Sequence, residues 1–153
     1  MRGIGETEAG QDKRDYGYGR FGRDVQEIFL AYLIGKSFVG LRTDDVLAWA
    51  RAFQESQLGG TRVSELHLIG IGEATIPALH AAALHGGDFA TIALQEMIPT
   101  WEEIIRTPES FNQAASVVHG ALAHYDLPEL VELARREKVK VVAPLDAAAP
   151  PRR

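Results

Sequence analysis

The feature that most constrains this chain is a short strand signal, residues 63–69, that passes through Gly70-Ile71-Gly72 directly into an alanine-dense stretch, residues 74–84. The first segment has the alternation of a strand and the second the composition of a helix, so the glycines mark a strand-to-helix turn. Residues 89–94 and 139–143 repeat the strand signal, with helix-start signals lying between them. Strands alternating with helices build a parallel sheet covered on its faces by helices. The expectation is therefore an α/β chain, a three-layer fold with a parallel sheet and helices on both faces. Three strands are few for that class, which makes the fold a partial one.

Helices are expected upstream as well. Val25, Ile28, Phe29 and Tyr32 fall at i, i+3, i+4 and i+7 and predict an apolar stripe on a helix from Gly22 to about Gly35. Thr43 can cap a second helix that buries Val46, Trp49, Ala50 and Phe53 and stops at Gly59-Gly60. Further along, Thr100 and Asp126 each stand three residues before a glutamate, the pattern of a capping box. Thr107-Pro108 offers another helix start. The chain then divides into an N-terminal loop or arm (1–20), an α/β domain (21–146) and a flexible Ala/Pro-rich tail (147–153).

Composition narrows the partners. The 153 residues suffice for one domain with a real core, and 46% hydrophobic against 24% charged is ordinary for a globular protein. A net charge of −5 and no basic patch argue against nucleic acid or anionic membrane. There is no cysteine, which excludes disulfides, thiolate catalysis and Cys-bound zinc. No run reaches the roughly 20 apolar residues of a membrane span, and no apolar signal segment follows Met1, so a cytoplasmic setting is the default expectation.

Ligands of open α/β sheets bind beyond the C-terminal ends of the strands. That rule selects Gly70 to Glu73, Gln95-Glu96 and Leu145-Asp146. Strand–Gly70-Ile71-Gly72-Glu73-Ala74–helix has the layout of a nucleophile elbow, the G-x-S-x-G turn that lifts a serine above the sheet. Around it stand Arg2-Gly3-Ile4-Gly5-Glu6-Thr7, Pro77-Ala78-Leu79-His80, Tyr125-Asp126-Leu127-Pro128-Glu129 and Val141-Val142-Ala143-Pro144-Leu145-Asp146. In order and spacing this set resembles the C-terminal part of an acetylxylan-esterase-like member of the α/β-hydrolase superfamily. The resemblance implies an esterase-like domain acting on small esters or carbohydrate, with Asp146 at the acid position. It also implies a degenerate site, because Gly72 occupies the serine position.

Several candidates remain beside that resemblance. A glycine turn at a helix start can cradle phosphate, but here it lacks a third glycine and a P-loop lysine, and Glu73 would repel an anion. His119 and His124 are five apart, off the i, i+4 spacing for a shared metal, and no cofactor or metal site is expected. Each histidine reads first as a hydrogen-bonded or surface side chain; His119, between Val117-Val118 and Ala121-Leu122, has the most apolar neighbours and would titrate near working pH if buried. Glu73, Glu96 and Asp146 could act as paired acid and base, although Glu73 also suits a helix dipole. Phe29, Trp49, Phe53 and Trp101 are read as packing. Two functions follow: a hydrolase, by ester or carboxylate-based glycoside chemistry without a Ser-His-Asp triad, or a non-catalytic assembly module. In either case exposed sheet edges predict a homo-oligomer, most simply a dimer.

Overall fold

The computed structural model describes the backbone of residues 15–55, 57–58, 61–110 and 113–148. Helix α1 (Asp15–Leu33) is already formed at Asp15, so residues 15–20, expected in the arm, are helical. The glycine and charge content of that segment reads as loop, yet it only weakens a helix. Helix α2 (Phe38–Glu55) begins five residues before the expected Thr43. Ser37 caps it, with its hydroxyl oxygen accepting from Gly40 N at 2.9 Å. Thr43 lies a turn inside, 3% exposed, and its hydroxyl donates back to Val39 O at 2.8 Å. Gly59-Gly60, the expected stop, lies outside the described residues.

A short antiparallel pair, β1 (Gln57–Leu58) and β2 (Thr61–Arg62), leads to the main sheet. Its strands β3 (His67–Ile71), β4 (Thr91–Gln95) and β5 (Val139–Val142) lie in the order β3-β4-β5 and are all parallel. Strand β3 starts at His67 rather than at residue 63, because Val63 to Leu66 have no neighbour to pair with until Leu66 O accepts from Ala90 N. Helix α3 (Thr75–His85) connects β3 to β4, and α4 (Trp101–Arg106) and α5 (Leu127–Leu133) lie between β4 and β5. The expected α/β class is the observed one, a three-strand parallel sheet with helices packed on it, consistent with a partial three-layer fold in which the described helices cover one face.

Topology decides where the core sits. Crossovers between parallel strands are right-handed, and here both step across the sheet in the same direction. Such a path puts its connecting helices on one face. Accordingly α3 packs on β3, on β4 and on α5, with α2 behind α3. Gly70, Ile92 and Leu94 turn toward these helices and join Ile76, Leu79 and Leu127 in the core, all buried. Each large apolar side chain withdrawn there contributes about 1.5–3 kcal/mol. The alternate residues face the other way: Ile69 is 67% exposed, Ile71 57% and Val142 37%.

Other apolar expectations are corrected by the packing. Helix α1 rests on Phe38 and Ala115 through its small Ala31, flanked by Ile28, while Val25, Phe29 and Tyr32 are exposed. Along α2, Ala50 and Leu47 are buried, whereas Trp49 and Phe53 are exposed and stack on each other at 5.8 Å. Periodicity selected the right helices and part of each face: Ile28, Val46 and Ala50 pack inward as expected, whereas the larger Phe29, Trp49 and Phe53 do not, because the close approaches are made by small residues such as Ala31 and Ala50. Trp101 is packed as expected, 2% exposed.

Both expected capping residues act as caps. Thr100 accepts from Glu103 N at 3.0 Å. Asp126 forms a full capping box with Glu129 at the start of α5. Its carboxylate also reaches α4, accepting from Trp101 N at 2.7 Å and from Glu102 N at 3.4 Å. One side chain thus serves two helix starts. Thr107-Pro108 begins no helix: Thr107 ends α4, with its hydroxyl donating to Glu103 O at 2.7 Å. A single cap removed to alanine costs about 1 kcal/mol, so Asp126→Ala should cost about 2 kcal/mol and Thr100→Ala about 1 kcal/mol. Urea unfolding of the two variants measures the difference, and equal losses would show that the α4 contacts of Asp126 carry no weight.

Candidate functional site

The turn after β3 has the geometry its sequence predicted. Gly72 has φ +58, a left-handed conformation that sends the chain from strand into the 3-10 turn Gly72–Ala74 and on into α3. Thr75 closes the turn, its backbone N–H and its hydroxyl both donating to Gly72 O, the latter at 2.6 Å. Gly70 is small for a different reason. A Cβ there would lie 3.0 Å from Thr75 Cα and 3.1 Å from Ala74 O, so the helix start presses on the strand at this point. A Cβ at Gly72 would meet nothing within 4 Å. Position 72 is therefore open but carries no side chain.

Left-handed residues recur at the same level of the sheet. Gly72, Glu96 (φ 61) and Ala143 (φ 47) each stand one residue past the end of their strand. The register pairs Ile71 with Gln95 and Gln95 with Val142, which lines the three up as a rim. For Glu96 and Ala143 this conformation costs on the order of 1–2 kcal/mol each. The loops are tied together: Glu96 N donates to Val142 O at 3.0 Å and Leu145 N to Met97 O at 3.0 Å.

The four predicted site residues separate into two settings. Glu73 and Glu96 stand at adjacent strand ends, Glu73 partly buried and Glu96 8% exposed. Asp146 follows on the loop after β5, exposed, its Oδ1 accepting from Ala148 N at 2.9 Å in a tight local turn. His119 is exposed rather than buried, its ring edge-on to Tyr32 at 6.4 Å. Its apolar neighbours Val117 and Leu122 are themselves exposed, so they do not enclose it. Among the described residues no group of three His, Asp or Glu could hold a metal.

None of the five histidines sits on the turn that holds Gly72. His67 opens β3 at the opposite end of the strand, bonded to Thr91 Oγ1 at 2.8 Å. His85 lies at the end of α3, 3.8 Å from Asp88. His80, in the middle of α3, is the one sequence reasoning passed over. Its Nδ1 donates to Ile76 O at 2.8 Å, which leaves Nε2 to accept from the Tyr125 hydroxyl at 3.2 Å. Its ring packs against Trp101 at 5.8 Å and Tyr125 at 5.9 Å. The signal was present in chain order alone, as Tyr125 precedes the capping Asp126, but nothing in the sequence joins residue 80 to residue 125. Burial holds the His80 imidazole below the usual histidine range, against the raising effect of the Ile76 carbonyl. Burial also pushes the Tyr125 phenol up.

No family model matches this chain, and neither a curated protein nor a solved structure matches it.

Two predictions follow from this geometry. Gly72→Ser has room for its side chain and loses only the left-handed preference, about 1–2 kcal/mol. Gly70→Val must displace backbone and should lose about 3 kcal/mol, the upper end for overpacking. Chemical denaturation giving the reverse order would contradict this account of the turn. The second concerns pH. A group whose folded pKa is depressed binds its proton more readily when unfolded, so stability falls as pH drops below the free histidine value near 6.5. Wild type should lose stability between pH 7 and 5, and His80→Gln should flatten that slope. Parallel slopes for the two proteins would remove His80 from the account.

Proposed function

We propose that this chain is a non-catalytic assembly and binding module, an esterase-like frame that keeps the elbow turn for its structure and has lost the chemistry. The observation that carries this reading is Gly72 itself, a left-handed elbow position with open space and no nucleophile. The neighbouring hydroxyl, on Thr75, is committed to Gly72 O. A triad needs nucleophile, base and acid together, and the turn offers neither of the first two. Asp146 would then be the residue of an acid position, as the acetylxylan-esterase-like resemblance assigns it.

Exposed apolar surface supports the assembly half of the proposal. Ile69 and Ile71 stand side by side on the free face of the sheet, with Val142 across Gln95 on the far strand, and Val25, Phe29 and Leu33 form a stripe along α1. Exposed apolar surface of this kind marks association sites. A second copy is the simplest partner, since closed two-fold pairs are the commonest oligomers. No helix among the described residues is long and apolar enough to cross a membrane.

A hydrolase acting by carboxylates is the second reading, favoured by Glu96, a buried acid held in a left-handed conformation at the strand ends. Backbone strain of that kind gathers at functional positions. A general acid and base at about 5–10 Å would suit glycoside chemistry on a carbohydrate or, less directly, a small ester.

The expected outcome is a protein that a fluorophosphonate probe leaves unlabelled and that turns over neither nitrophenyl esters nor nitrophenyl glycosides above background. Turnover abolished by Glu96→Ala would establish the second reading instead. Light scattering at micromolar concentration should give a dimer, and Ile69→Lys with Ile71→Lys should shift it to monomer. A wild-type monomer would leave the assembly half of the proposal without support.

A further inference from the structure

Away from the strand ends, α4 and the segment 117–123 enclose a cavity of about 250 Å³. Its floor is the buried ring of Trp101, and its sides are Ile104, Ile105, Val117, Val118 and Leu122. The indole N–H is already used, donating to Ser116 O at 2.9 Å, so Trp101 offers only its ring. The 117–123 backbone also satisfies itself in part, with Ala121 N bonded to Val118 O and Ala123 N to Gly120 O. Ile105 is 72% exposed, Val117 42% and Leu122 43%, although they border the same opening. Apolar side chains left wet around a concave surface lose nothing by taking up an apolar guest.

The lining also says which guest. It contains no Lys, Arg, Asp or Glu, so a charged ligand would be desolvated without a counter-charge. The one side chain there with free hydrogen-bonding capacity is His119, whose ring is propped edge-on by Tyr32. A dry cavity of about 150 Å³ accommodates benzene, so this larger one fits a phenyl ring with a short substituent. We propose that this cavity is a binding site for a small uncharged aromatic molecule carrying one hydroxyl or carbonyl, with its ring among Ile105, Val117 and Leu122 above the nearly covered Trp101 and its polar group on His119. The site is independent of the strand-end rim and of the sheet face, and its test does not depend on either.

Trp49 and Trp101 are the two tryptophans, and Trp49 is 65% exposed, so Trp49→Phe leaves Trp101 as the reporter. Titration of that variant with 2-phenylethanol should give a saturable change in Trp101 fluorescence. Phenylacetate, which has the same ring and a charge, should bind at least about tenfold more weakly, the least expected for stripping a charge of water without a partner. His119→Ala in the same background should weaken 2-phenylethanol about fivefold, the worth of one hydrogen bond, and leave ethylbenzene unchanged. Val117→Phe, at a partly exposed position, should fill the mouth and abolish the response. In the wild type, nuclear Overhauser contacts should link the ligand ring to the Val117 and Leu122 methyls. No saturable response, equal binding of phenylacetate, or absence of those contacts would each overturn the proposal. An undiminished response in folded Val117→Phe would place the ligand elsewhere and overturn it as well.

Discussion

The carboxylate of Asp126 is the contact on which the C-terminal half of the structure depends. Backbone N–H groups at a helix start have no partner inside the helix and must find an acceptor. Asp126 supplies one to α5 through Leu127 N at 2.6 Å and to α4 through Trp101 N at 2.7 Å. Two short helices of six and seven residues, marginal by themselves, are thereby fixed to one point. Trp101 and Tyr125, the residues beside that point, can then close on His80 of α3, their rings 5.6 Å apart. The helices on the covered face of the sheet are locked by this junction of one acid and three rings as much as by aliphatic packing.

The sequence made the alternation of strands and helices legible, along with the strand-to-helix turn and both capping residues, because each depends on neighbours a few positions apart. It misled where a choice among faces or partners was needed. Trp49 and Phe53 had the spacing of a core stripe but lie outside, since the α2 residues that join the α3 core are Val39 and Ala50. Ser37 was overlooked as a cap because no acidic residue follows it in the first turn, whereas Asp44 and Asp45 follow Thr43. His119 had apolar neighbours in sequence that do not surround it in space. The His80–Tyr125 bond joins residues 45 positions apart, and no local pattern reports such a pair. At the candidate site, the residue types at the strand ends were legible, whereas the left-handed conformations of Glu96 and Ala143 were not, since neither residue type favours them.

Gly70 and Gly72 show how two glycines in one motif answer to different physics. The first is excluded from having a side chain by the approach of α3, the second only by its backbone angle. The turn therefore does not depend on a side chain at position 72: the packing that demands Gly70 and the hydroxyl of Thr75 that closes the turn are both indifferent to what stands there. A frame of this kind holds its shape whether or not chemistry is done on it.

The one-directional strand order also sets a sequence of assembly. His67 and Thr91, paired across β3 and β4, are 24 residues apart, whereas Lys138, which donates to Phe89 O beside β4, is 49 residues from its partner. Doubling a loop adds about 0.6 kcal/mol to the entropy of closing it. The β3–α3–β4 unit is thus the cheaper nucleus, and in synthesis it is complete before β5 exists. For that interval β4, the most buried strand of the finished sheet, has an open edge. The docking of β5, with Lys138 bonding to the carbonyls of Gly86 and Phe89, is what takes that edge out of circulation.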